Sequence, residues 1–190
     1  MGTLWISKIS DATWYIGGGE PRKIAWGADA PTSYSYEVGE NKAKDGDIYT
    51  CWNGEDYDKN CIAENTEYQT KIALPYVSDY MYAASPEAWT KPGYTRSDLT
   101  DKDGNYGVMY DYRSESENDW LYLGVDYFTI SRITNYSNAT SGVSVDADGS
   151  INAGLTYAGL YYGVLPTFYL KSEIEYVGGT GTESDPFRID

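Results

Sequence analysis

Tyrosine outnumbers phenylalanine by 21 to 3 in this chain of 190 residues, and that ratio narrows the folds open to it. An ordinary core is built from Leu, Ile, Val and Phe, because a buried phenol demands a partner for its hydroxyl. Tyr in such excess belongs on half-wet strand faces and loops, where its β propensity is high. Together with 6 Trp, the same side chains give rigid contact area at low entropic cost. A β-rich fold and an aromatic binding surface are therefore compatible readings of one signal. At 21.2 kDa the chain has the size of one domain, and residues 1–190 are read as a single globular unit.

Charge and missing residue types narrow the function. Lys and Arg total 14 against 29 Asp and Glu, a net −15, which argues against nucleic acid or anionic lipid as a partner. Histidine is absent, removing the commonest general base, the serine and cysteine triads and every His-ligated zinc site. No cofactor is indicated, and the chain is read as non-enzymatic. No run approaches the roughly 20 apolar residues that span a bilayer, so direct membrane insertion is not expected of these residues. No signal-peptide pattern is visible either. Met1-Gly2 leads straight into Thr3-Leu4-Trp5-Ile6, which reads as a start from which a leader or anchor was removed. Cys51 and Cys61, separated by a very polar stretch, fit one disulfide and with it an extracytoplasmic location; two free thiols are the alternative.

Along the chain, short strands and turns dominate. Thr3 to Ile9 alternates apolar and polar residues and predicts a strand, and Ala12 to Ile16 predicts another. Gly17-Gly18-Gly19 lacks phosphate-loop spacing and reads as a turn or bulge. Ala30 to Asp47 reads as hairpin or long loop. Lys71 to Tyr76 predicts a buried strand that Pro75 demotes to an edge or an end. Ser78 is read as the N-cap of a short helix over Asp79 to Ala84, and Ser85-Pro86-Glu87 opens a second. Trp120 to Leu123 and Tyr127 to Ile130 predict strands. Val143 to Val145 and Ser150 to Asn152 flank Asp146-Ala147-Asp148-Gly149, a hairpin turn in which Asp148-Gly149 supplies positive φ. Gly163 to Leu170 is the most apolar stretch and the central-strand candidate, with Pro166 demanding an edge or bulge. Gly178 to Thr182 predicts a turn before Asp185 to Ile189. The fold class is α+β: a β-dominated, twisted antiparallel sheet with two short helices and long loops.

Lys71 to Trp89, KIALPYVSDYMYAASPEAW, resembles the segment KIGLMYVSDYGYAASPxxW of a family of uncharacterised bacterial surface domains. The family's DWLYxxxxxWTISR block is matched by Asp119 to Tyr122 and Phe128 to Arg132. Its V…DG hairpin is matched by Val145 to Gly149. Its GVRPVLYLKSxVxxxGGxGTxxxPYxI ending is matched by Gly163 to Ser172, Gly178 to Thr182 and Pro186 to Ile189. The resemblance covers residues 68–190 and leaves 1–67 as a variable N-terminal portion, with Ala12 to Gly17 similar to the family's ATTTWKVGG. Leu165 departs from the pattern, standing where the family has Arg. Such domains look like pilins or pilin-like surface proteins of Gram-positive bacteria, and the order of blocks looks like a C-type-lectin-like arrangement. The resemblance thus implies an extracellular or cell-surface location and a pilin-like or adhesin-like role. The partners it implies are a host or environmental glycan or protein, or like subunits in a fibre. A purely structural pilin subunit with no ligand is the alternative.

Three clusters bear on a site. Asn135, Tyr136 and Asn138, with Tyr157, Tyr161 and Tyr162 further on, combine Tyr with small polar residues, the vocabulary of adaptable binding loops. They are the candidate ligand-binding residues, against an ordinary polar loop. Asp101, Asp103 and Asn105 have alternating oxygen ligands with Gly104 between the last two, but the EF-hand spacing fails, so they stand as metal candidates against a solvated acidic turn. Glu115, Glu117 and Asp119 would supply the carboxylate pair of a glycan-acting hydrolase, the remote alternative, since a glycosidase needs two facing carboxyls about 5–9 Å apart.

Overall fold

Ala12–Ile16, expected as a strand, forms one, β1, with Trp14 buried at its centre. The computed structural model describes residues 3–16, 18–19, 29–38, 48–52, 57–62, 66–90, 119–133, 141–155, 161–182 and 184–190. Within them the elements run α1 (Thr3–Lys8), β1, β2 (Gly18–Gly19), α2 (Ala30–Glu37), β3 (Ile48–Trp52), β4 (Tyr57–Ile62), β5 (Thr66–Thr70) and α3 (Val77–Ala83). A single 3-10 turn, Pro86–Ala88, follows. Then come β6 (Tyr127–Ile133), β7 (Ser141–Val145), β8 (Ile151–Leu155), β9 (Tyr176–Gly178) and β10 (Arg188–Ile189). The class is α+β with several small, mainly antiparallel sheets.

The strands do not form one sheet. β1 pairs with β5, β3 with β4 and β9 with β10, each antiparallel, while β2-β6-β7-β8 make a four-stranded sheet. In that sheet the glycine run contributes β2, parallel to the end of β6 through Gly18 with Arg132 and Gly19 with Ile133. The run expected to turn the chain instead supplies an edge. The N-terminal portion is interleaved with the rest: β1 lies on β5, β2 on β6, and Lys8 to Ser10 hydrogen-bonds to Tyr169 and Lys171. Lys71 closes the same seam, its Nζ donating to the Ile9 carbonyl at 2.8 Å and lying 3.3 Å from Asp11 Oδ2.

Several expectations are corrected. Thr3–Lys8 is a helix, because a six-residue run is too short for alternation to outvote helical pairing. Ala30–Glu37 is a helix and not a loop; Asp29 accepts from Thr32 N at 2.9 Å as its cap, and Pro31 fits the first turn. The cap of α3 is Tyr76 instead of Ser78, with Asp79 Oδ2 accepting from Tyr76 N at 2.8 Å. Trp120 to Leu123 forms a turn, because the Asp119 side chain accepts from Leu121 N at 2.9 Å and bends the chain locally. Lys71 to Tyr76 and Gly163 to Leu170, both expected as strands, meet only through a bridge between Ala73 and Thr167. The β3–β4 register sets Cys51 against Asp58 and Cys61 against Tyr49, so the two cysteines expected to bridge are not cross-strand partners, and their side chains lie outside the described residues.

The core gathers where α2 and α3 pack on the four-stranded sheet. Ala30, Val77, Tyr80, Met81, Ala84, Ala88, Tyr127, Val143, Val145 and Ile151 form one buried cluster. Leu165, the departure from the family pattern, packs against it. Two of the cluster's largest members are phenols, and each hydroxyl has a partner: Tyr80 donates to Gly149 O at 2.7 Å, Tyr127 to Leu121 O at 3.1 Å. Gly149 is the tightest point of this packing. Its φ is +82°, and an added Cβ would sit 3.2 Å from the Tyr80 hydroxyl and 3.3 Å from the Tyr122 ring. Gly149→Ala combines left-handed strain with overpacking and should destabilise by roughly 2–3 kcal/mol. Urea unfolding reads the difference, and a loss under about 0.5 kcal/mol, the size of a neutral surface change, would show that the turn adapts freely.

Candidate functional site

The blocks that carry the family resemblance converge on one end of the core. Tyr80 of α3 reaches Gly149 in the β7–β8 turn, Tyr122 donates to Ala147 O at 2.9 Å, and Asp126 Oδ1 accepts from Ala147 N at 2.6 Å. These bonds fasten the Asp119–Asp126 loop to the turn. Gly163 then joins the loop from the other side: its N donates to Asp126 O at 2.7 Å and its carbonyl accepts from Phe128 N at 3.3 Å. An added Cβ on Gly163 would meet Asp126 O at 3.2 Å, so the close approach suits glycine.

What this scaffold displays is apolar. Trp120 is 74% exposed, with Leu123 and Val125 exposed on the same loop, and beside Gly163 stand Tyr161 at 97% and Val164 at 71%. Single exposed hydrophobic residues are normal, whereas several on two adjoining segments make a candidate contact face. Tyr162 points the other way, half-buried with its ring 4.3 Å from that of Phe128, and it anchors the segment. Of the expected ligand-binding residues, Tyr161 therefore lies on the face and Tyr162 beneath it. Asn135, Tyr136, Asn138 and Tyr157 lie outside the described residues, as do the metal candidates Asp101, Asp103 and Asn105.

Two buried carboxylates complete the electrostatics. Glu37, at the end of α2, is 6% exposed and receives Val77 N and Ser78 N, each at 3.1 Å, together with the Ser131 hydroxyl. Burial pushes its carboxyl up to about 7, outweighing the bonds from Ser131 and Ser78 that favour the anion, while Asp79 nearby adds repulsion. Asp119 is 4% exposed, and burial raises it to about 6, outweighing the neighbouring Leu121 and Tyr122 N–H groups and the Tyr80 hydroxyl that favour the anion. Its would-be hydrolase partners Glu115 and Glu117 lie outside the described residues. On the β7–β8 turn Asp146 is likewise raised by burial, although Ser144 and Asn152 bond to it.

The sequence reading missed the exposed loop and both buried acids. Trp120-Leu121-Tyr122-Leu123 looked like a strand, and nothing in Tyr36-Glu37-Val38 separates a buried Glu from a solvated one. Among the described residues no group of three or more His, Cys, Asp or Glu could hold a metal ion, and no helix is long and apolar enough to cross a membrane. Comparison with protein-family models, curated proteins and solved structures finds no match to this chain.

Proposed function

We propose that this chain is an extracellular surface domain, pilin-like or adhesin-like, that acts by contact and not by catalysis. The observation that carries the reading is the exposed apolar face made by Trp120, Leu123 and Val125 on one segment and Tyr161 and Val164 on the next. Tyr and Trp on such a face suit sugar rings and protein side chains alike, since both offer flat apolar area with a polar rim. A net charge of −15 steers the domain away from phosphate-rich partners and toward neutral or basic ones. The resemblance of residues 68–190 to bacterial surface domains fits the same picture, and so does a C-type-lectin-like arrangement in which loops over a small sheet form the ligand surface.

The test is a panel of glycans and extracellular matrix proteins probed with the wild-type domain and with Tyr161→Ala/Val164→Ser. Neither side chain belongs to the core, so the variant should melt with the wild type. Removing two contact-face side chains is expected to weaken retention by roughly ten-fold or more. Equal retention by the variant removes the face from the reading. A wild type that binds nothing on the panel but self-associates in analytical ultracentrifugation favours the structural-subunit alternative.

A further inference from the structure

The two buried acids bracket α3, and they sit in opposite settings. Glu37 faces the helix N-terminus, where backbone N–H groups welcome negative charge. Asp119 lies at the other end, where Trp120 N reaches the Ala83 carbonyl at 3.5 Å and Trp89 Nε1 the Ala84 carbonyl at 3.1 Å. There Asp119 Oδ1 accepts from Leu121 N at 2.9 Å, while Oδ2 is buried and accepts no hydrogen bond. The groups facing it are phenols and acids. Tyr80 from α3 has given its proton to Gly149 O and Tyr127 from β6 has given its proton to Leu121 O. Asp79 of α3 and Asp119 both add negative charge beside the Tyr127 hydroxyl. On the β7–β8 turn Asp146 is held by Ser144 and Asn152, and Asp148 by Ser150. Among the described residues no Lys or Arg pairs with Asp119.

An ionised Asp119 therefore leaves Oδ2 buried with only the Tyr80 hydroxyl beside it, whose hydrogen is already directed at Gly149 O. A neutral Asp119 carries its own donor, and the Tyr80 hydroxyl oxygen, its proton committed to Gly149, can accept it. We propose that Asp119 is a proton-operated pin: as the neutral acid it closes the Asp119–Asp126 loop against α3 and the β7–β8 turn, and its ionisation loosens that loop. The position of the carboxyl, raised by burial to about 6, sets the working range between mild acid and neutrality. Trp120, Leu123 and Val125 ride on the loop, so the pin would govern how firmly that apolar face is presented. The inference stands on the loop's own geometry and does not require that the face bind anything.

Hydrogen exchange of the amides from Leu121 to Asp126, corrected for intrinsic rates and normalised to those of β7, tests it. In the wild type their protection should fall by roughly ten-fold or more between pH 5 and pH 7.5. In Asp119→Asn, whose amide mimics the neutral acid but cannot ionise, protection should be equal at both values. Loop protection that is flat in the wild type, that falls only in step with β7, or that falls equally in the variant overturns the proposal. Should the variant fail to fold, the carboxyl carbon of Asp119 in the wild type decides by NMR. A titration midpoint near 6 supports the pin, and one at the ordinary aspartate value rejects it.

Discussion

Between pH 8 and pH 5 the melting temperature of this protein is expected to rise by roughly 6–12 °C, the reverse of the usual response to acid. Glu37 is the main cause. Its folded carboxyl sits at about 7 against an ordinary 4.5, so the folded chain holds the proton more tightly than the unfolded chain. The resulting stability is complete below about pH 4.5 and is lost as pH climbs through 7. The interval corresponds to roughly 3 kcal/mol, which a domain of this size reads out at about 2–4 °C for each kcal/mol. Asp119, Asp79 and Asp146 are raised by burial too and act with the same sign. Relief of self-repulsion in so acidic a chain adds to it. Glu37→Gln separates slope from height. The amide cannot ionise, so most of the pH dependence should vanish. Its NH2 group would meet the Ser78 N–H that Glu37 Oε2 now accepts, so stability at pH 5 should drop by about 1–3 kcal/mol. Denaturant unfolding at the two pH values measures both. A wild type more stable at pH 8 than at pH 5 would mean that Glu37 stays ionised in the fold.

That response could not have been read from the sequence, and the reason generalises to the rest of the fold. Local chemistry was legible wherever a segment decides its own conformation. Ala12–Ile16, rich in β-prone Thr, Trp, Tyr and Ile, forms a strand; Asp148-Gly149 demands a left-handed residue, and Gly149 supplies it at φ +82°. Gly179 and Gly181, both at positive φ, likewise turn the chain between β9 and β10, with Phe187 packed over Gly181. The cap before α2 was equally local, in Asp29-Ala30-Pro31, yet the helix it starts is too polar for apolar periodicity to reveal. Segments whose conformation is set by a distant partner were misread. Gly163 to Leu170 is apolar enough for a central strand, but Pro166 has no N–H to give, and the segment is held by isolated bridges at Gly163, Thr167 and Leu170. The candidate face was half legible. Tyr161 was selected for its chemistry, whereas Trp120 and Leu123 were hidden because a continuous run of β-prone residues reads as a strand until Asp119 bends it, and Val125 because it reads as part of the break that follows.

Replacing Trp14 with Ala is expected to lower stability by about 3–5 kcal/mol, the largest effect of any single change considered, and to lower the melting temperature by roughly 10–15 °C. Composition shows why so much rests on one indole. With so few Phe, the chain builds this part of its interior from stacked polar aromatics: Trp14 lies 5.9 Å from Tyr76 and 5.2 Å from Tyr169, with interplanar angles near 24° and 25°. Each such pair adds about 0.5–1.5 kcal/mol beyond the area it buries. The hydroxyl of Tyr76 is engaged as well, accepting from Tyr15 N at 2.7 Å, and Trp14 Nε1 donates to Thr70 O at 3.0 Å. One residue of β1 thus ties the β1–β5 ribbon to the start of α3 and to the segment after Gly163. Loss of the indole opens a cavity at the point where the N-terminal portion meets residues 68–190. Trp14→Phe keeps the stacking and forfeits the bond to Thr70 O, so it should cost only about 1 kcal/mol. Phe187→Ala, on the exposed β9–β10 hairpin, should change stability by less than about 0.5 kcal/mol despite removing a ring of similar size. Calorimetry on the three variants orders them. If Trp14→Ala melts within a degree or two of the wild type, the N-terminal portion is not fastened to the core through this stack, and the pairing of β1 with β5 must hold it alone.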